Sequence, residues 1–216
     1  MTVIAFNGSP RKTWNTAMLL EKALEGAASQ GAATELVHLY DLNFKGCKSC
    51  FACKTKGDKS YGKCEAEDDL TPMQGKVKKA DAIIMGFPIY YGTVSGEMRS
   101  FMERLMFPYM TYTDPLQSLF TKKINTGFIY TMNSTEEQMK KYGFRPHLGF
   151  NEMVLQIIFG SSESLFSFDT YQFKDYSKVV ADRFNPENKE KRRNEVFPND
   201  CKKAFEMGSR FSNKSR

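Results

Sequence analysis

Thr2-Val-Ile-Ala-Phe6 runs straight into Asn7-Gly-Ser-Pro-Arg-Lys-Thr-Trp-Asn-Thr16, and this join decides the fold. The first five residues form a β-branched and aromatic run that reads as a short buried strand. Asn-Gly-Ser-Pro ends it as a turn. A helical pattern then takes over across 14–30, with Leu20, Leu24 and Ala27 on one stripe and Gly31 as the C-cap. Strand, polar loop, helix is the opening of a β-α-β unit.

The same alternation continues outward. A second strand is expected over 34–40, a short helix with basic outer positions over 70–79, and a third strand over 80–87 that is apolar on both faces. The clearest helix is 95–106, where Met98, Phe101, Met102, Leu105 and Met106 share a face, with Glu97, Arg99, Glu103 and Arg104 elsewhere on the wheel. A fourth strand is expected over 125–131 and a short fifth over 165–168, with helices over 135–142, 147–159 and 199–211. Cys201 falls on the packed face of the last helix. Strands alternating with helices predict an α/β three-layer fold, a five-stranded parallel sheet with helices on both faces. The crossover lengths fit the flavodoxin-like order 2-1-3-4-5, in which ligands sit beyond the carboxyl ends of the strands, at the switch point between the first and third.

The chain of 216 residues carries 31 basic and 25 acidic side chains, a net charge of +6. Residues 176–216 hold eleven Lys/Arg against six Asp/Glu, so most of that charge lies in the tail. Two parts are expected: a domain over 1–175 with a cysteine-rich insertion at about 44–69, and a basic helical tail over 176–216. Nothing resembling a nucleic-acid-binding motif accompanies the tail, and no apolar run approaches the ~18–20 residues of a membrane span. Neither nucleic acid nor membrane is expected as a partner. The apolar run at 2–6 is too short for a secretory signal, so a cytoplasmic protein is expected. The residues 107–112 and 116–120 are apolar and aromatic outside the regular elements. They predict an exposed contact patch and a homodimer or higher oligomer.

Two loops carry ligand chemistry. Ser9, Asn15 and Thr16 offer hydrogen bonds, Arg11 a planar charge, and Gly8 a close backbone approach, all at the start of a helix whose free N–H groups favour an anion. A hydroxyl-rich loop with one Arg suits a single terminal phosphate; a plain capped strand-to-helix turn uses the same residue types. The second loop is Gly86-Phe-Pro-Ile-Tyr-Tyr-Gly-Thr-Val-Ser-Gly96. Pro88 sets a turn, and Tyr90 and Tyr91 present flat faces suited to a planar heterocycle.

These two motifs, Gly-Ser-Pro-Arg-Lys-x-x-Asn-Thr and Pro-Ile-Tyr-Tyr-Gly-Thr-Val-Ser-Gly-Glu-Met-Arg-Ser-Phe-Met-Glu-Arg-Leu, resemble the NADPH-dependent FMN reductase group of flavodoxin-like proteins. The Cys-x2-Cys-x2-Cys between them resembles its iron–sulfur flavoprotein branch. The likeness covers about 1–133, more loosely 168–176, and leaves the last forty residues outside. It implies that Ser9, Arg11, Asn15 and Thr16 hold the FMN phosphate and that Pro88, Ile89, Tyr90, Tyr91 and Gly92 line the isoalloxazine. Thr131 and Asn133, after the fourth strand, carry over by position only.

Cys47, Cys50 and Cys53 are spaced to wrap one face of a cluster, and Cys64 would close a [4Fe–4S] site. Lys45, Lys48, Lys54, Lys56, Lys59 and Lys63 surround them and would favour thiolates. The ten residues between Cys53 and Cys64 exceed the compact spacing of the iron–sulfur branch, though Gly57 and Gly62 let the chain fold back. Three readings stay open here: a cluster, a zinc ion on the same thiolates, or a metal-free loop. His38 and His147 read as structural. No side chain is assigned to catalysis, which suits a flavoenzyme whose cofactor does the redox chemistry. The expected activity is an FMN-dependent NAD(P)H oxidoreductase that passes electrons to a quinone, a flavin or a protein acceptor. The alternative is a flavodoxin-type or iron–sulfur flavoprotein electron carrier without nicotinamide turnover.

Overall fold

In the computed structural model, residues 1–213 are described. They form strands β1 (Thr2–Asn7), β2 (Ala33–His38), β3 (Ala82–Tyr90), β4 (Thr93–Val94), β5 (Asn125–Thr131) and β6 (Glu163–Ser167). The helices are α1 (Asn15–Ser29), α2 (Leu70–Lys79), α3 (Gly96–Met106), α4 (Glu136–Lys141), α5 (Arg145–Phe159), α6 (Pro186–Lys191) and α7 (Phe197–Phe211). The main path of the sheet is β2-β1-β3-β5-β6, all parallel. This is the expected order with one addition: the two-residue β4 hangs antiparallel on β3.

Alternate residues of each strand serve opposite layers. Val3 and Ala5 of β1, with Ile84 and Ile129, pack under α1 and α7; Ile4 and Phe6, with Ile83, Met85 and Phe128, pack under α2, α3 and α5. The α1–α7 contact is close enough that a Cβ on Gly208 would lie 1.7 Å from the Ala23 carbonyl oxygen, and one on Gly26 1.9 Å from that of Phe205. Only glycine permits that approach. Through α7, the C-terminal segment contributes Ala204, Met207 and Phe211 to the core.

Two expectations change. β3 continues three residues past Phe87, because β1 ends at Asn7 opposite Gly86 and leaves Pro88 paired only with Thr131 of β5. A proline is tolerated where one side of the strand needs no donor. Segment 107–120 is not an exposed patch throughout. Tyr109 and Phe120 are buried edge-to-face against Phe159, while Tyr112 and Leu116 remain exposed. Among the described residues, no helix is long and apolar enough to cross a membrane.

Candidate functional site

The loop after β1 is drawn tightly against its neighbours. Gly8 N–H donates to the Gly86 carbonyl at 2.8 Å, and Ser95 Oγ–H donates to the Gly8 carbonyl at 2.6 Å. A Cβ on Gly8 would meet that of Met98 at 2.7 Å, so the glycine is what lets this loop reach α3. Asn7 Oδ1 accepts from Ser9 N–H, and Ser9 Oγ accepts from Arg11 N–H, which fixes the turn. His38 meets Asn7 Nδ2 through its Nδ1 at 3.0 Å, a structural contact.

The N-terminus of α1 has no side-chain cap; Trp14 occupies the cap position. Its first-turn amides and the positive end of its dipole therefore face the loop without a side-chain acceptor. Ser9, Asn15 and Thr16 are buried around this point, and Arg11 is exposed above it. Three donors of the loop converge on the segment after β6. Arg11 Nη1 donates to the Gln172 carbonyl, while Trp14 Nε1 and Asn15 Nδ2 donate to the Tyr171 carbonyl at 3.0 and 2.7 Å. Arg193, from the π-helical turn between α6 and α7, donates to Asn15 Oδ1 at 2.9 Å. Trp14 and Arg193 escaped the sequence reading as polar contributors.

The second loop is a β-hairpin. Ile89 pairs with Val94 and Tyr90 with Thr93, leaving Tyr91 and Gly92 as a two-residue turn with φ of 50° and 77°. Two positive φ values define a type I′ turn, which ordinarily takes Asn or Gly at the place Tyr91 fills. Tyr91 stands fully exposed at the tip, with Tyr90 beside it, while Pro88 and Ile89 are half-buried. An open cavity of about 700 Å³ lies beside the hairpin, bounded by Ile89, Tyr91, Gly92 and Thr93, by Met132 and Ser134 after β5, and by Arg99, His147 and Arg183.

Thr131 is placed differently from the aromatic loop. Its hydroxyl shares a 2.8 Å hydrogen bond with that of Thr16, tying the end of β5 to the first turn of α1. Asn133 Oδ1 accepts from the buried Lys189, which also pairs with Asp169. Thr131 therefore belongs with the β1 loop, and Asn133 is held by the C-terminal segment.

The cysteine segment runs along α3. Cys47 N–H donates to Glu103 Oε2 at 3.2 Å, and Lys54 Nζ donates to the carbonyls of Phe107, Pro108 and Met110. The ten-residue gap closes through successive turns: Asp58 N–H to Thr55, Lys63 N–H to Ser60, and Gly62 N–H to the Cys53 carbonyl at 3.1 Å, with Gly57 and Gly62 both at positive φ. Cys47, Cys50, Cys53 and Cys64 consequently line one cavity of about 330 Å³, walled by Phe44, Phe51, Phe107 and Arg104. All are free thiols, with Cys53 the buried one.

The lysine field acts less simply than expected. Burial pushes the Cys53 thiol above its ordinary value, outweighing the adjacent Lys54. Lys54 is itself lowered by burial, its charge engaged by carbonyls and by the Phe107 ring. Among the described residues, no three or more His, Cys, Asp or Glu stand close enough to hold a single metal ion.

A parallel sheet, an uncapped α1 and an aromatic hairpin meeting at the switch point define the class, a flavodoxin-like domain whose candidate site lies at the carboxyl ends of β1, β3 and β5. Within that class the chain belongs to the NADPH-dependent FMN reductase family, whose profile matches residues 1–170. It is 39% identical over 104 residues to an iron-sulfur flavoprotein of Methanocaldococcus jannaschii, a match covering 48% of this chain and 51% of that protein. An iron-sulfur flavoprotein of Archaeoglobus fulgidus is 40% identical over 104 residues, 48% of each chain. These matches span about half the length of the curated relatives. In fold, the chain is similar to an NAD(P)H:quinone oxidoreductase from Methanothermobacter marburgensis, with a TM-score of 0.68, 13% identity, and coverage of 97% and 98% of the two chains. It is also similar to an FMN-dependent NADH-azoreductase from Bacillus anthracis solved with FMN, with a TM-score of 0.67, 12% identity, and coverage of 99% and 100%.

Proposed function

We propose that this protein is an FMN-dependent NAD(P)H oxidoreductase whose cysteine segment holds a [4Fe–4S] cluster, delivering electrons to a small-molecule acceptor such as a quinone or flavin, or to a carrier protein. The observation that carries the flavin reading is the donor set at α1. Arg11, Trp14 and Asn15 all point at main-chain carbonyl oxygens of 171 and 172, the acceptor role that a phosphate would take. Charged and neutral N–H donors at an uncapped helix N-terminus suit the phosphate of FMN.

When bound, FMN supplies hydride acceptance from a reduced nicotinamide and onward electron transfer. The chain's own residues have the remaining work. Ser9, Arg11, Asn15 and Thr16 bind the phosphate, with Thr131 bracing Thr16. The Tyr91–Gly92 turn and Pro88, Ile89 and Tyr90 present the surface against which a planar ring lies. Arg99 and Arg183 bring positive charge to the adjoining cavity, favourable to an anionic nicotinamide dinucleotide.

The fit to a cluster rests on four cysteines around one cavity, whose wall combines Phe44, Phe51 and Phe107 with the charged Lys48, Glu103 and Arg104. Three thiolates in Cys-x2-Cys-x2-Cys with a fourth cysteine are the ligand chemistry such a cluster takes. Such a cluster supplies one-electron transfer. On α3, Gly96, next to the aromatic hairpin, lies seven positions before Glu103 at the cysteine cavity. That is about 10 Å along the axis, so one helix links the two centres.

Iron, acid-labile sulfide and flavin per chain, measured in anaerobically purified wild type and in all five single Cys→Ser variants, test this reading. Serine at 47, 50, 53 or 64 should remove iron while flavin stays, and Cys201→Ser should change neither. Wild-type protein with flavin but without iron or sulfide would end the cluster assignment and leave the flavin assignment standing. A two-fold pairing through the exposed Tyr112 and Leu116 is part of the proposal; a monomeric mass by light scattering at micromolar concentration contradicts it.

A further inference from the structure

Arg104 is 2% exposed, although its place on the polar side of α3 marked it as a surface residue. The cysteine segment covers it. Nη1 donates to Asp68 Oδ2 and, at 3.2 Å, to the Lys45 carbonyl, and Nη2 donates to the Ala66 carbonyl at 3.1 Å. Lys45 lies two residues before Cys47, and Ala66 two after Cys64, so the guanidinium is clamped between the two arms of the segment.

Nε is the exception. It is buried and has no hydrogen-bond partner. An unmet buried donor in an otherwise satisfied guanidinium calls for a physical reason. Arg104 and Cys64 line the same cavity. A neutral thiol is a weak acceptor, whereas a thiolate accepts a charge-assisted bond. The donor is thus placed for a sulfur that carries charge.

We infer that Arg104 is the positioning residue for the Cys64 ligand: its Nε–H donates to the Cys64 thiolate in the loaded protein, orienting that ligand and raising the cluster's reduction potential. The inference rests on the cluster reading above. Hydrogen bonds to ligand sulfur, and a fixed positive charge beside it, favour the form of a cluster that holds one more electron. Asp68 keeps the guanidinium in place from its other side.

The test is a redox titration of the cluster in anaerobically purified protein, alongside iron and sulfide content. Arg104→Lys keeps a charge that can still meet Asp68 but has no Nε. It should bind iron and sulfide as wild type does and shift to lower potential, with the reduced-to-oxidised ratio falling about tenfold, or about 59 mV for a one-electron couple. Arg104→Met combined with Asp68→Asn removes the guanidinium and its carboxylate together. No unpaired charge is then left buried, so this variant keeps the test readable if the lysine variant folds poorly. It should shift in the same direction and at least as far. A purely structural role would change loading or melting without moving the potential of the loaded fraction. Wild-type potential in either loaded variant overturns the inference while leaving the cluster standing. Wild-type protein without iron and sulfide overturns both.

Discussion

The side-chain amide of Asn15 donates to the main-chain carbonyl of Tyr171 at 2.7 Å, across 156 residues of sequence. The contact brings the segment after β6 onto the loop after β1, where Trp14 and Arg11 reach the same stretch of backbone. The donors of the proposed phosphate site are thereby gathered at one place, and phosphate binding would exchange these carbonyl acceptors for phosphate oxygens.

Arg11→Ala should weaken FMN binding by about 10–100-fold, the loss of one charge-assisted hydrogen bond worth about 1.5–3 kcal/mol. Arg11 is exposed and its guanidinium lies 5.6 Å from the Trp14 ring centroid, so the fold should tolerate the change. Flavin-fluorescence titration reads the affinity, and riboflavin should bind the wild type far more weakly than FMN. Equal FMN affinity in variant and wild type would remove Arg11 from the phosphate site.

Tyr91→Asn should stabilise the flavin-free protein by about 1 kcal/mol, because asparagine tolerates the left-handed backbone that costs tyrosine about that much. Tyr91 is fully exposed at φ 50°, so the substitution sacrifices no packing. The same variant should bind FMN less tightly, since the aromatic face is lost. Strain held at such a point is characteristic of functional sites. Urea unfolding and flavin titration on one preparation read both effects, and a less stable variant would contradict the argument.

Asp68 predicts an acid limb in the stability profile. Burial alone would raise its carboxyl, but hydrogen bonds from Arg104 and from the Leu70 and Lys45 amides, with the charge of Arg104, hold it below the ordinary value of 3.8. Its stabilising contribution is therefore complete above that value and is lost as the pH falls through the lower folded-state value. Between pH 6 and pH 3 the denaturation midpoint of wild type should fall more than that of Asp68→Asn. Parallel falls in the two proteins would show that the pair contributes nothing to the pH dependence.

The sheet was legible in the sequence because β1, β3 and β5 are apolar runs between turn residues, and α1 and α3 carry clean helical stripes. Their ends were less so. Pro88 and Ile89 look like loop residues until the early end of β1 shows that β3 has a free side there. Arg104 looked exposed because periodicity describes one helix and not the segment folded over it. Tyr109 and Phe120 looked like a surface patch because their ring partner, Phe159, lies far along the chain. The carbonyls of 171 and 172, and the Arg193 that reaches Asn15 from 178 residues away, had no local signal. Their positions follow from how β6 and α7 dock on the sheet. The Cys47, Cys50, Cys53 spacing was legible; only the fold shows that the ten-residue excursion brings Cys64 to the cavity the other three line.

Anaerobic stopped-flow mixing of the flavin-loaded protein with NADPH and, separately, NADH tests the central claim most directly. An oxidoreductase of the proposed kind bleaches the visible flavin band on mixing with at least one of the two nicotinamides, and the band returns when a quinone is added. A flavin that stays oxidised with both nicotinamides, yet is reduced by dithionite, would contradict the account and leave an electron carrier in its place.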